Sequence, residues 1–456
     1  MTTMQNDRYS IRGWVILFSS AIVTFLLLIA GIAEAGYGLL ELLGICASRH
    51  PLYPVTGSFY NPGPFGCYLS FTVPLAIAEF CYGKRPLLRY TAVALLLLDA
   101  LMLPVSMSRT AWIASALGTL IVFSPKIIRF FRSSPRLYTL LAVAGLSASL
   151  WGVYSIKADS ADGRLLMWKV AVRAVSPSPF SGTGPQCVAG AYGVAQEEYF
   201  ASGQGSEGEM MVADAPEYVF NEYLQTAIAY GWGSALLLII VLIAALCTAL
   251  SCRNLAIAGC VAAVMTVMAA SYPFQFPIST ATIALILIAA FFSTTMIDVR
   301  MAGGVASALL CLSLCHPFDR MEVSRKFNVG LVLHKSGKWE ESNKVLAEIL
   351  PYSSDPMPLN IIGKNFQQLN LPDSAEHYLT RAAFRCPNRL YPHYLLMHLY
   401  ADPRHPQKER AVREARLILS KEVKIKSPAA DDIRREAKEL LNDLSNEIPS
   451  APEKDI

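Results

Sequence analysis

Residues 223–250 read YLQTAIAYGWGSALLLIIVLIAALCTAL, 28 positions without one charged side chain. A helix needs roughly 20 apolar residues to cross a hydrocarbon core of about 30 Å. This stretch therefore reads as a transmembrane span. Comparable runs lie at 14–32, 67–82, 90–105, 111–123, 138–156, 255–272, 278–297 and 301–316. Together they predict an all-α, polytopic bundle of about nine spans. The composition agrees: 53% of residues are hydrophobic and 16% charged, with a mean hydropathy of +0.38, outside the usual range for a soluble domain. Basic residues precede the first run, as in a secretory signal. However, 14–32 is longer than a signal's apolar region of about 7 to 15 residues and is followed by further spans, so it reads as the first membrane helix.

The formal net charge of +4 gives no reason to expect a nucleic-acid partner. What carries information is where the charges fall. Arg8 and Arg12, then Lys84, Arg85 and Arg89, then Lys126, Arg129, Arg132 and Arg136, then Arg253 and Arg300 occupy alternate connections. The positive-inside rule puts those connections on the cytoplasmic side. The segments 33–66, 157–222 and 273–277, with the turn at Ser108 and Arg109, then face outward, and so does the chain after 317. The expected location is the inner (cytoplasmic) membrane, with a cytoplasmic N-terminus and a periplasmic C-terminal region. The ten cysteines include no CxxC pair and mostly lie in or beside apolar runs, where they read as small hydrophobes. No metal or cofactor is expected from this pattern.

Composition turns polar after 316. From 320 to 444 the apolar residues follow helical spacing, broken at Gly337-Lys338, Leu371-Pro372 and 403–407. Gly330, Ser342, Leu346 and Ile349 are answered about 33 residues later by Gly363, Ala375, Leu379 and Ala382. This resembles a tetratricopeptide (TPR) array of two to three repeats, the third at 391–419, an α-solenoid whose units are stable only when stacked. A simple helical bundle is the alternative. The expected domains are a transmembrane part at 1–316 with a long outer loop at 157–222, a TPR-like part at 317–445, and a disordered tail at 446–456.

Charged groups at membrane depth are costly and so are candidates for function. Asp99 stands mid-span in 90–105, with little other charge at that depth. Arg109, in Ser106-Met107-Ser108-Arg109-Thr110, falls at the outer ends of two spans; it either snorkels or binds phosphate in a bidentate manner. An amphipathic helix beginning near Asp162 would set Arg164, Lys169 and Arg173 beside Trp168, suited to anchoring at the bilayer or to a lipid phosphate. Gly182 and Gly184 permit a tight turn that could aim backbone N–H groups at an anion. Asn221 and Glu222 open the next span, where Glu222 is either a base or a first-turn acid suited to the helix dipole.

Gly57-Ser58-Phe59-Tyr60-Asn61-Pro62-Gly63, then Ser108-Arg109-Thr110-Ala111-Trp112, then Arg164 to Trp168 leading through Gly182-Thr183-Gly184 to Asn221-Glu222-Tyr223-Leu224-Gln225 resemble, in order and spacing, the O-antigen ligase and polymerase superfamily over roughly 57–297. The appended repeats, with Cys386-Pro387-Asn388-Arg389-Leu390-Tyr391-Pro392, resemble an arrangement found in Bacteroidetes members. The resemblance implies metal-independent glycosyl transfer from an undecaprenyl-diphosphate-linked glycan to an acceptor hydroxyl, on lipid A core or another glycan or protein. Arg109 and Arg164 match the arginines that hold the donor diphosphate. Arg173, Trp168 and Asn221 are expected at the substrate, with Glu222 as a catalytic candidate. Many ligases carry histidine just before the asparagine of the last motif, where this chain has Phe220, so the alternative bases are Glu222, Glu217 and His50. Polymerase and protein O-oligosaccharyltransferase activities fit the same motifs. A polysaccharide transporter and a membrane-anchored scaffold that binds a protein through its repeats are the readings from other classes.

Overall fold

The computed structural model describes residues 11–133, 158–315, 320–422 and 427–447. All regular structure among them is helical, and contacts divide the chain into two compact units. The first unit comprises 1–156, 220–227 and 232–318; the second comprises 157–219, 228–231 and 319–456. Composition alone places one boundary near 316. Contacts instead join the long loop at 157–219 to the polar C-terminal region.

The first unit holds α1 (Ile11–Leu42), α2 (Pro62–Ser70), α3 (Val73–Tyr82), α4 (Pro86–Val105), α5 (Arg109–Ser133), most of α9 (Glu222–Tyr230), α10 (Trp232–Ser251), α11 (Leu255–Ala270), α12 (Pro277–Phe291) and α13 (Ile297–Leu314). Among the described residues, six stretches are long and apolar enough to cross a membrane: 21–42, 62–82, 86–105, 109–132, 232–251 and 297–314. The expected span at 138–156 and the expected disordered residues 448–456 lie outside the described residues. The run 67–82 is two helices broken at Phe71-Thr72, and 223–250 is broken at Gly231, whose φ is +84°. α1 is longer than its apolar run, about 48 Å at 1.5 Å per residue.

α10 shows how the bundle is solvated. It buries Ala235, Leu238, Leu242, Ala245 and Ala249 along one stripe and exposes Leu236, Leu237, Ile240 and Ile243 on the other, an all-round apolar pattern suited to lipid. α11 and α12 are shorter, about 24 Å and 23 Å, and α11 is buried over most of its length. It crosses α5 at Gly118 and Gly259, where a Cβ on either glycine would press on the other's backbone and on Pro74. Small residues let helices approach this closely where hydrophobic segregation offers little drive, as in lipid.

The second unit holds α6 (Ala158–Val175), α7 (Val188–Ala201), α8 (Glu207–Val212) and the C-terminal helices α14 (Arg320–Lys335), α15 (Trp339–Ile349), α16 (Met357–Gln368), α17 (Pro372–Arg385), α18 (Leu390–Tyr400), α19 (Lys408–Ser420) and α20 (Pro428–Glu447). Neighbouring C-terminal helices pack in chain order, with breaks where the sequence places its turns. The 33-residue correspondence is physical: a Cβ on Gly330 would strike Leu346, and one on Gly363 would strike Leu379. Each glycine admits the leucine of the following helix. All eight corresponding residues are buried.

Candidate functional site

The motif at 57–63 is held from α1. Glu34 and Glu41 lie seven residues apart, on the same helical face, and both are buried. Glu41 Oε2 accepts the backbone N–H groups of Thr56 and Gly57, each at 2.7 Å, and Glu34 Oε1 accepts that of Ser58 at 2.6 Å. Gly57 has φ +57°, and a Cβ there would collide with the Glu34 carboxylate and with Phe65, so the turn requires glycine. Asn61 caps α2 by accepting from Gly63 N–H at 2.9 Å. Beside Asp99, Glu34 lies within the candidate span 21–42, while Glu41 and Glu79 stand near the ends of the spans 21–42 and 62–82. The signal of Glu34 and Glu41 in the sequence was two acids one heptad apart in an apolar run. Asp99 itself is buried on α4, and both its oxygens lack a hydrogen-bond partner.

From this turn a row of rings leads to the last motif. Phe59 meets Tyr68 at 5.5 Å and Phe276 edge-on at 4.9 Å; Phe276 meets Tyr272 at 5.9 Å, and Tyr272 meets Phe220 edge-on at 4.8 Å. Thr282 donates to the Tyr68 hydroxyl at 3.3 Å when its own hydroxyl serves as donor. Phe220 is thus a packing residue here. It is held at φ +52°, a conformation costly for a bulky side chain.

Asn221 next to it is a helix cap. Its Oδ1 accepts Leu224 N–H at 3.1 Å and its Nδ2 donates to the Ala269 carbonyl at 3.1 Å, so both ends of the expected substrate ligand serve the protein. Glu222 is buried and accepts Phe274 N–H at 3.4 Å. Burial pushes its carboxyl up to about 8, opposed by that one bond. This suits a base working near neutral pH better than an exposed helix-dipole acid.

The Ser106–Thr110 turn joins the same unit. Ser106 donates to the Leu103 carbonyl at 2.7 Å, Trp112 Nε1 donates to it at 2.9 Å, and the Ser108 hydroxyl lies 3.7 Å from the Cys67 thiol. A Cβ on Gly66 of α2 would strike Ser106. Met107 takes φ +48°, so strained residues stand just before both Ser108-Arg109 and Asn221-Glu222. Arg109 is the first residue of α5 and half-buried. His50, the alternative base, accepts Leu52 N–H on Nδ1 at 3.1 Å.

In the second unit, α6 separates its cations. Arg164 and Trp168 are half-buried and one turn apart, while Lys169 and Arg173 project about 140° from Arg164 or further. Lys169 Nζ bonds Tyr199 at 2.6 Å and Glu209 at 2.8 Å; Arg173 lies over the Tyr199 ring, 4.8 Å from its centre, and bonds Gln204 at 2.5 Å. Arg173 joins α6 to Tyr199 of α7 and to Gln204 just beyond it. The glycine turn is likewise committed: Thr183 N–H donates to Ile228 at 2.8 Å and Gly184 N–H to Ala229 at 3.0 Å. These N–H groups tie down the 228–231 break and are not aimed at an anion, which corrects that expectation. Glu217 is exposed in the same unit.

Sequence reasoning missed the joint between α7 and the C-terminal helices. Glu197 bonds Arg381 at 2.6 Å and Arg385 at 3.0 Å, and Arg385 is only 1% exposed. Gln196 Nε2 donates to the Arg385 carbonyl at 2.5 Å, Asn388 to Met211 and Ala213, and Ser354 to Pro216. Gly190 and Gly193, three apart on α7, meet Pro351 and Ser354. That small-residue face was the available signal.

These features define a polytopic helical membrane protein with a folded polar unit. Residues 93–239, about a third of the chain, match the family model described as O-antigen ligase; that interval contains Arg109, Arg164 and Glu222. No curated protein and no solved structure matches the chain.

Proposed function

We propose that this protein is a membrane glycosyltransferase of the O-antigen ligase type. It transfers an undecaprenyl-diphosphate-linked glycan to an acceptor hydroxyl, on lipid A core or another acceptor, at the outer face of the cytoplasmic membrane. The observation that carries this reading is the convergence of the 57–63, 106–112 and 220–225 motifs in one packed unit, two of them inside the matched interval. In the reaction the acceptor oxygen bonds to the anomeric carbon, the bond from that carbon to the diphosphate oxygen breaks, and undecaprenyl diphosphate leaves. Arg109 and Arg164 offset the charge that grows on the departing diphosphate, and Glu222 as carboxylate takes the hydroxyl proton. Asn221, Trp168 and Arg173 act as positioning residues.

The C-terminal helices are a TPR-like array built against the loop. That the loop and the array belong to one compact unit supports a reading in which both lie on one side of the membrane.

The test is transfer in proteoliposomes from a purified lipid-linked donor. Arg109→Ala and Arg164→Ala should each lower transfer by roughly 10²–10³-fold; unchanged transfer by both would remove them from the mechanism. Wild-type transfer should rise with pH through about 8 as Glu222 ionises, and Glu222→Gln should abolish that limb. Deleting the gene should leave acceptor uncapped while the lipid-linked polymer accumulates. Acceptor bearing a single repeat unit would instead identify a polymerase.

A further inference from the structure

α6 leaves apolar side chains outside while burying others. Leu166, Val170, Ala171 and Ala174 face the interior of the second unit, whereas Leu165 is 59% and Val172 48% exposed on the opposite side. Leu165, Trp168 and Val172 stand at i, i+3 and i+7, one helical stripe, with Lys169 beside it. Five residues past the end of α6, Phe180 is 91% exposed.

Water is a poor environment for these groups, and the chain supplies another. α6 follows directly on the apolar run 138–156, which the sequence reads as a span. The turn bearing Phe180 is fixed against 228–231: the Gly182–Gly184 backbone bonds to Ile228 and Ala229, and the Pro179 and Phe180 carbonyls lie against Gly231. The next residue, Trp232, opens the most apolar of the candidate spans among the described residues. Each exposed apolar element thus adjoins, along the chain, a run long and apolar enough to cross a membrane. An amphipathic helix with apolar and cationic side chains settles in the layer where hydrocarbon gives way to headgroups.

We propose that Leu165 and Val172 of α6, together with Phe180, form a lipid-contact surface that seats the second unit on the bilayer, with Lys169 at headgroup level. The occupant is the phospholipid leaflet itself, and the inference stands independently of glycosyl transfer.

The test places a photoreactive benzoylphenylalanine at Leu165, Val172 or Phe180 of the full chain in nanodiscs of phosphatidylethanolamine and phosphatidylglycerol. Leu371, equally exposed at 48% in the same unit, serves as the control. Illumination followed by mass spectrometry should give phospholipid adducts at the three positions and none at Leu371. All four positions are on the surface, so the substitutions leave the core intact, and circular dichroism verifies the fold of each variant. Adducts to protein only, no adducts, or equal lipid adducts at Leu371 would each overturn the proposal.

Discussion

Glu41 in the apolar unit, buried, and Glu197 in the polar unit, half-buried, are carboxylates that each tie distant segments together, yet their partners differ in kind. Glu41 is satisfied by two backbone N–H groups, and Glu197 by two guanidinium groups, one almost wholly buried. The difference follows from the surroundings. Bringing an arginine into a bundle solvated by lipid is costly, whereas the amides of a tight turn are already present and must find acceptors. In the polar unit long cationic side chains reach the acid from solvent-accessible helices. Burial then pushes the Arg385 guanidinium down and Glu197 opposes that shift. The apolar unit fixes a loop with dipoles; the polar unit fixes helices with ions.

The largest effect should come from Glu197→Ala, which leaves Arg385 buried without its counter-charge, a loss of about 3–5 kcal/mol. Hydrogen exchange on the full chain should show α7 amides exchanging faster. Glu197→Gln should behave nearly as badly, because a neutral amide cannot balance two cations. If the glutamine variant matches wild type, the ionic account of this joint fails.

Glu41→Ala should follow, at roughly 2–4 kcal/mol, by orphaning two buried N–H groups. Here Glu41→Gln should recover most of the loss, since its carbonyl oxygen still accepts. Thermal unfolding in lipid nanodiscs distinguishes the pair, and equal damage from both variants would erase the contrast between the units.

The smallest effect concerns Glu209. Burial acts to raise its carboxyl, but hydrogen bonds from Lys169, the Ser206 N–H and Tyr199 outweigh that and hold it down at about 2. A depressed carboxylate contributes stability above its unfolded value of about 4.5 that is lost as pH falls towards 2. The pair is partly exposed, so the change is small and screened by salt. A Glu209→Gln chain should show a shallower loss of α8 protection between pH 4.5 and 2 than wild type.

Much of the site was visible beforehand as motif, and little of it as geometry. Arg109 and Glu222 stood out because charge beside a span is unusual. That Asn221 bonds the Ala269 carbonyl and Phe220 packs on Tyr272 was not visible, because the partners lie about 50 residues away. That Lys169 and Arg173 meet Tyr199, Glu209 and Gln204 was not visible either, since those partners lie about 30 to 40 residues further along the chain.

By itself the sequence determined the apolar helices, the polarity change after 316 and the 33-residue recurrence of glycine and leucine, because each is a local or periodic consequence of side-chain size and polarity. Only the tertiary structure decided that the loop at 157–219 and the C-terminal helices form one body, and that Glu34 and Glu41 hold the turn at 56–58. Those outcomes depend on which distant groups remain to satisfy a buried charge or amide, and no spacing along the chain encodes that choice.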